Sequence, residues 1–424
     1  MNGYIDTYYA RTLTNGHEYP ALEGTVETDV CVIGGGLAGL NTALGLVERG
    51  KNVALVEQHR IGWGASGRNA GFVAKGYAAG EANLTKKLGL EKAQRMVSLT
   101  KNARKLIKQR IRDFNIDCGP VIDGVLTVSW RDRRKELQNY IDTANRDFDL
   151  GFELWDRDRV HEHCKTEKYF DGVFSPNDFQ FNPLRYVQGL GRVIAQKGGR
   201  IFENSAACAV TRDGAGWKVE TSGGNVRAQH VVLCCAIYSD GLDRRLENAV
   251  FPVQTYLMSS APIDENLLRE TINTRHAIYD TRFCSDYYRR LPDNRLLWGG
   301  RVGLWAHPAN IAQAMMHDMF KIYPKLKGHV TPEAAWSGLL AYAPHKMPQI
   351  GRFEPGYWYN TGFGGHGLCP TTAGGEVMAA AIAEGDETYK SFAPFRPYYS
   401  GGRLGRYAAQ TVYGWWRLRD FLDI

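Results

Sequence analysis

Two glycine-rich turns stand out at opposite ends of this chain of 424 residues: VIGGGLAGLNTAL near the start and NTGFGGHGLCPTTAGGEVMAAAIAEG from Asn360 to Gly385. Both read as strand, tight turn, helix, a pattern that cradles anions on free backbone N–H groups at a positive dipole end. The first turn, Gly34-Gly35-Gly36-Leu37-Ala38-Gly39, carries G-x-G-x-x-G. Gly34 permits the tight turn, Gly36 lets a pyrophosphate approach the backbone, and Gly39 lets the helix pack close to the strand. Glu57 ends the next apolar strand, VALVE, about 20 residues on, where a carboxylate accepts hydrogen bonds from ribose hydroxyls. An acid there disfavours a 2′-phosphorylated nucleotide. The motif points to a dinucleotide without choosing between nicotinamide and flavin. The following loop, RIGWGASGRNAGF from Arg60 to Phe72, offers Gly64, Ala65, Ser66, Arg68 and Asn69 to a cofactor that continues past the pyrophosphate, with Gln58 just before it.

These residues need a scaffold. Asp29 to Val56 reads as strand, glycine turn, helix, strand, and His59 to Tyr77 as a glycine-rich loop. Apolar residues every three or four positions predict helix over Ala82–Phe114. Further helices are expected at Arg131–Asp149, Pro183–Lys197 and Ile311–Tyr323. Strands are expected at Val121–Trp130, Arg200–Phe202, Trp217–Thr221 and His230–Cys235. From about Val250 to Gly303 the pattern alternates and is rich in aromatics (FPVQTYLMSS, DYYRR, RLLWGGR), as in an antiparallel sheet of a separate domain. The last stretch, RYAAQTVYGWWRLRDFLDI, reads as an amphipathic helix whose aromatic and basic residues suit a membrane surface or, more commonly, packing on the body or a partner subunit.

Composition narrows the class. Hydrophobic residues make up 44% and charged residues 23%, an ordinary globular profile. The net charge of +7 is spread along the chain and accompanies no nucleic-acid motif, so no nucleic-acid partner is expected. The eight cysteines form no C-x-x-C pair, so no metal site is expected and a reducing compartment is favoured. The start, MNGYIDTYYARTL, lacks a charged-then-apolar leader, no apolar run is long enough to span a bilayer, and the expected location is cytoplasmic.

The loop GASGRN after GGGLAG resembles the D-amino-acid-oxidase-like superfamily of flavoproteins, and within it γ-glutamylputrescine oxidase-like proteins. The lead-in YPALEGTVETDVCVIGGG, RIGWGASGRN, VVLCCAIYSDGL, DYYRRLPDNRLLWGG, MPQIG and TGFGGHG occur in the family's order and cover most of the chain. The resemblance implies an α/β fold: a discontinuous Rossmann-like FAD-binding domain with a mixed, largely antiparallel-sheet substrate domain. The expected division is an N-terminal arm over 1–28, FAD-binding segments 29–80, 160–245 and 345–390, substrate or cap segments 81–159 and 246–344, and a tail over 391–424. It further implies oxidation of a C–N bond by hydride transfer to flavin N5, with reoxidation by O2 to hydrogen peroxide. Expected cofactor contacts are Gly34, Gly35, Gly36, Leu37, Ala38, Gly39, Glu57, Gln58, Gly64, Ala65, Ser66, Arg68, Asn69 and Ala207. The second turn adds Gly362, Gly364, Gly365, His366, Gly367 and Leu368. That turn is expected beneath the pyrimidine edge of the flavin, with a helix after Pro370 aimed at N1 and the C2 carbonyl.

Departures from the family pattern bear on the substrate. In α-amino-acid oxidases of the superfamily an arginine grips the substrate carboxylate; Leu340 stands at that position, inside Gly338–Gly351. A small secondary amine, or a cyclic or N-substituted amino acid, is therefore expected, with Lys346 or Arg289 as a replacement cation. Gly338 stands where relatives attach flavin through a cysteine, so FAD is expected to be non-covalent. No lysine occurs in Arg295–Gly299, where relatives place one to assist oxygen, which leaves open another electron acceptor or a non-catalytic FAD-binding protein. Candidate substrate-side residues are His366, Tyr256, Tyr342 and Lys346, with Tyr287 and Tyr288. His366 either tunes the flavin or orders its own turn, and each tyrosine either walls a pocket or packs a sheet face. The oligomeric state stays open.

Overall fold

The apolar run VCVI and its successors are strands buried on both faces, the pattern of a parallel sheet covered by helices. In the computed structural model, which describes residues 3–14, 16–239, 241–304 and 308–422, Gly24–Ile33 lies between Val53–Val56 and Gly224–Leu233, all parallel. Arg200–Phe202 extends this sheet on one side and Tyr357–Thr361 on the other, both parallel, and Gln349–Glu354 adds an antiparallel edge. The hairpin Ala207–Asp213 and Gly216–Thr221 pairs with the first half of Gly224–Leu233. Strand order in space breaks sequence order, so the C-terminal ends of strands from distant parts of the chain meet.

The second sheet runs Pro332–Tyr342, Phe251–Ser260, Leu296–Gly303, Tyr287–Arg290, Ala277–Asp280, Ile122–Val128, Gly172–Gln180 and Phe72–Val73. Among the described residues its pairings are antiparallel except that of Ala277–Asp280 with Ile122–Val128. Both Gly172–Gln180 and Phe72–Val73 fall in ranges expected for the nucleotide domain. Antiparallel register with Ile122–Val128 draws the first of them into this sheet, and the second follows by pairing Phe72 with Gln180. One face of the sheet packs on Ile311–Ile322 through Tyr256, Met258, Tyr288, Trp298 and Met315. The other face turns toward the parallel sheet.

Other differences have local causes. The helical span expected over 82–114 is two helices, Glu81–Leu88 and Leu90–Asp113, broken at Gly89, whose φ of +82° no helix accommodates. The arm ends sooner than expected because Gly24 already pairs with Gly224. Within the arm, Thr7 caps the helix Tyr8–Arg11, and the Tyr4 hydroxyl donates to the Ile61 carbonyl at 2.8 Å. The C-terminal helix spans Gly402–Leu422. No helix among the described residues is long and apolar enough to cross a membrane.

Candidate active site

The first turn is built as its glycines require. Gly34 sits at φ +108° and donates to the Val56 carbonyl at 2.8 Å. A methyl group on Gly39 would overlap the Gly34 carbonyl, so the helix Leu37–Val47 approaches the strand as closely as glycine permits. Ser66 reaches in from the following loop, its Oγ accepting from the Leu37 N–H at 2.9 Å. The Glu57 carboxylate accepts from Gly35 N–H at 2.6 Å and His59 N–H at 2.9 Å. Burial raises its carboxyl, opposed by those N–H bonds.

The second turn is clamped to the other sheet. Gly364 N–H donates to the Ala341 carbonyl at 2.9 Å, and Tyr342 bridges to Phe363. The Tyr342 ring lies against Gly364 and Gly365, where added methyl groups would come within 3.2 Å of it. The helix that follows is Leu368–Glu384, so it starts two residues before Pro370, which falls in its first turn where its missing N–H costs no helical bond. This helix crosses Leu37–Val47 with Gly375 against Asn41, where a side chain would come within 2.5 Å. Asn360, in the strand Tyr357–Thr361, donates to Thr42 Oγ1 of the first helix at 3.1 Å. Buried Arg110 ties both helices to Leu90–Asp113 through Asn41 and Glu48, both at 2.9 Å, and Glu376 at 2.5 Å.

The two turns open into one cavity of about 1010 Å³, at the upper end of the range of roughly 300–1,000 Å³ usual for ligand sites. Its nucleotide end is lined by Gly34, Gly36, Leu37, Ala38, Glu57, Gln58, Gly64, Ala65, Ser66, Arg68, Asn69 and Ala207. Gly364, Gly365, His366, Gly367 and Leu368 line the middle, and Gly35, Gly39 and Gly362 stand behind the wall as turn-formers. Arg68 supplies the sharpest electrostatic feature. It is 9% exposed, its guanidinium carbon lies 4.1 Å from the Trp63 ring centre, and its Nε and Nη2 have no acceptor. Burial lowers its pKa. A glycine turn at a helix N-terminus, a carboxylate at the end of the next strand, a second glycine turn and a buried guanidinium with unpartnered donors fit FAD.

The substrate-side candidates separate. Tyr342 and Lys346 line the cavity, as does Tyr287, whose hydroxyl shares a hydrogen bond of 3.0 Å with Thr255 Oγ1. Tyr256 does not: strand alternation turns Val253, Thr255 and Leu257 to the cavity and packs Tyr256 in the core behind the sheet. Tyr288 likewise joins Tyr169 and Tyr323 in that core. Arg289 is buried outside the cavity on Gln180, Tyr9 and the Phe181 carbonyl. His366 reaches the cavity, but its Nε2–H donates to the Ala74 and Lys75 carbonyls at 2.9 and 3.1 Å, which ties the turn to the first loop. Leu340 lines the cavity where an arginine would project. Sequence reasoning missed Arg301, held by Asp318 at 2.6 and 3.0 Å, and Tyr413 and Trp416 of the C-terminal helix. The stretch RLLWGGR contained the first; the other two carried only a general amphipathic signal.

Comparison with known proteins agrees with this geometry. Residues 29–381 match the family described as FAD dependent oxidoreductase. The chain is 30% identical to gamma-glutamylputrescine oxidoreductase of Escherichia coli over 430 residues, covering 100% of both chains. Among solved structures it is similar to glycine oxidase from Geobacillus kaustophilus (TM-score 0.73, 21% identity, 88% of this chain and 99% of that one). It is also similar to L-proline dehydrogenase from P. horikoshii (TM-score 0.72, 19% identity, 89% and 98%). With its cradle, its orphaned arginine and this match across most of its length, the chain belongs to the FAD-dependent oxidoreductase family and binds FAD.

Proposed function

We propose that the protein oxidises the C–N bond of a small secondary amine or of an N-substituted or cyclic amino acid, of γ-glutamylputrescine-like or L-pipecolate-like type. The C–H and N–H hydrogens leave the substrate as it becomes an imine, and O2 takes up both with their electrons to become hydrogen peroxide. The observation that carries this reading is the continuity of the nucleotide end with a pocket of Thr255, Leu257, Tyr287, Leu340 and Tyr342. That pocket offers an amine apolar and aromatic walls, and puts leucine where a free amino acid would need a cation. The likeness to gamma-glutamylputrescine oxidoreductase supports the amine class.

Bound FAD supplies the hydride acceptor. The residues of the chain do the rest by placement. Burial raises the Tyr287 hydroxyl to about 12 and raises Tyr342 as well, so both stay protonated near neutral pH and donate hydrogen bonds rather than act as bases. A substrate entering as the neutral amine needs no separate base at carbon. A second reading has the same oxidation but another electron acceptor. It draws on the strand Leu296–Gly303, which turns Gly300, Arg301 and Val302 to the cavity; Lys346 is the single lysine among the described lining residues.

An oxygen-electrode assay with a panel of secondary amines and cyclic amino acids separates the two. Oxygen uptake matched by peroxide is expected. Reduction of an artificial dye without oxygen uptake would favour the second reading.

A further inference from the structure

The family match ends at residue 381, yet the cavity does not. Its lining continues onto the helix Gly402–Leu422, through Ala409, Val412, Tyr413 and Trp416. This helix is fixed by directional bonds. The Tyr413 hydroxyl accepts from Val302 N–H at 2.7 Å, and Gln410 Oε1 accepts from Leu304 N–H at 3.0 Å. The Asp420 carboxylate accepts from Phe283 and Cys284 N–H at 3.1 and 2.8 Å. Trp416 stacks on Phe283, with ring centres 5.8 Å apart and planes at 17°.

Besides Arg68, two cationic side chains line the cavity. Arg301 is neutralised by its two-pronged bond to Asp318. Lys346 is not: among the described residues it has no carboxylate partner, and its Nζ lies 5.0 Å from the Trp416 ring centre. The Lys346 backbone sits at φ +57°, a left-handed conformation that side-chain-bearing residues seldom take. The Ala343–Met347 turn thus presents an exposed ammonium, without a carboxylate partner among the described residues, beside an indole of the C-terminal helix. An indole face steadies a cation without neutralising it, which leaves the charge available to a ligand.

We infer that the helix Gly402–Leu422 is the outer wall of the substrate pocket, and that Lys346, positioned by Trp416, selects substrates whose far end carries a carboxylate. This rests on the proposed oxidation only for the word substrate; the anion site is a property of the wall itself. The role missing at Leu340, beside the reacting end, is thereby moved to the distal end of the pocket. A substrate is held there by the end that does not react.

The test is ligand binding to the FAD-loaded protein, followed by change in the flavin absorption spectrum, which needs no turnover. The probes are glutarate and its neutral diamide. Glutarate is expected to bind more tightly than the diamide. Lys346→Gln and Trp416→Ala are each expected to weaken glutarate about tenfold while leaving the diamide unchanged. Trp416→Phe, which keeps an aromatic face, is expected to recover most of the loss. FAD content per chain, measured after desalting, is expected to stay at the wild-type level in all three variants. Equal binding of the two probes by the wild type, or an equal loss for both in Trp416→Ala, would overturn the inference. Neither result would touch the proposed oxidation, which fails only if amines leave the enzyme oxidised.

Discussion

At the scale of single residues, Arg68 stands out at the nucleotide end of the cavity. Its desolvated Nε and Nη2 lack acceptors, and a charge-assisted hydrogen bond contributes about 1.5–3 kcal/mol. Replacing Arg68 by Gln is therefore expected to weaken FAD binding roughly 10- to 100-fold, read by titrating FAD into the apoprotein. Unchanged affinity would mean that Arg68 faces something else. Much of this end was legible in the sequence because its logic is local: Gly34, Gly36, Gly39, Glu57 and Ser66 lie within one strand–turn–helix–strand–loop passage, and each does a job set by backbone geometry. The substrate end was less legible. Tyr256 and Tyr287 occupy strands covered by apolar layers on both faces, so alternation alone says that neighbours diverge, not which face meets the cavity. Pairing register, including the bulge at Thr255 and Tyr256, decides it.

At the scale of elements, the two glycine-turn helices act as one unit. Gly375 brings Leu368–Glu384 onto Leu37–Val47, and Gly45 meets Ala379 further along the same seam. Arg110, 2% exposed, clasps Asn41, Glu48 and Glu376 from a third helix. Glu48 and Glu376 are 28% and 26% exposed, so water offsets part of the roughly 3–5 kcal/mol that breaking a fully buried set costs. Arg110→Ala is expected to lower the melting temperature by several degrees and to loosen FAD, measured by thermal unfolding with and without added cofactor. A second element-scale expectation concerns the Ala343–Met347 turn. His345 accepts from Met347 N–H through Nδ1 at 3.1 Å, which requires that nitrogen unprotonated. Burial, then the charge of Lys87, lowers the His345 pKa from 6.5 to about 4. Between those values the unfolded chain binds a proton that the folded chain refuses, so the His345 contribution is full above pH 6.5 and declines as pH falls toward 4. Thermal unfolding of His345→Gln is expected to fall less steeply than wild type over that window; parallel curves would contradict it. Neither element pair was visible to periodicity. Such contacts join residues more than 300 positions apart, as Gly375 meets Asn41 and Asn360 of a strand bonds to Thr42 of a helix, and no local pattern encodes them.

At the scale of the whole molecule, the fold brings three distant parts of the chain to one cavity: the first turn, the second turn with its clamped strand, and the C-terminal helix. Residues of both glycine turns, of the second sheet and of the last helix line that one cavity. The broad division into a parallel and a largely antiparallel sheet was readable from strand composition, whereas the transfer of Gly172–Gln180 and Phe72–Val73 into the second sheet was not, since pairing partners lie far away in sequence. In the proposed oxidation, amines deliver hydride to the FAD that this protein binds. Anaerobic mixing of the FAD-loaded protein with a panel of secondary amines and cyclic amino acids tests it without reference to the final electron acceptor. Loss of the oxidised flavin absorbance is expected with at least one N-substituted amine, restored on admitting an electron acceptor. A flavin that stays oxidised with every amine and amino acid in the panel would contradict the account.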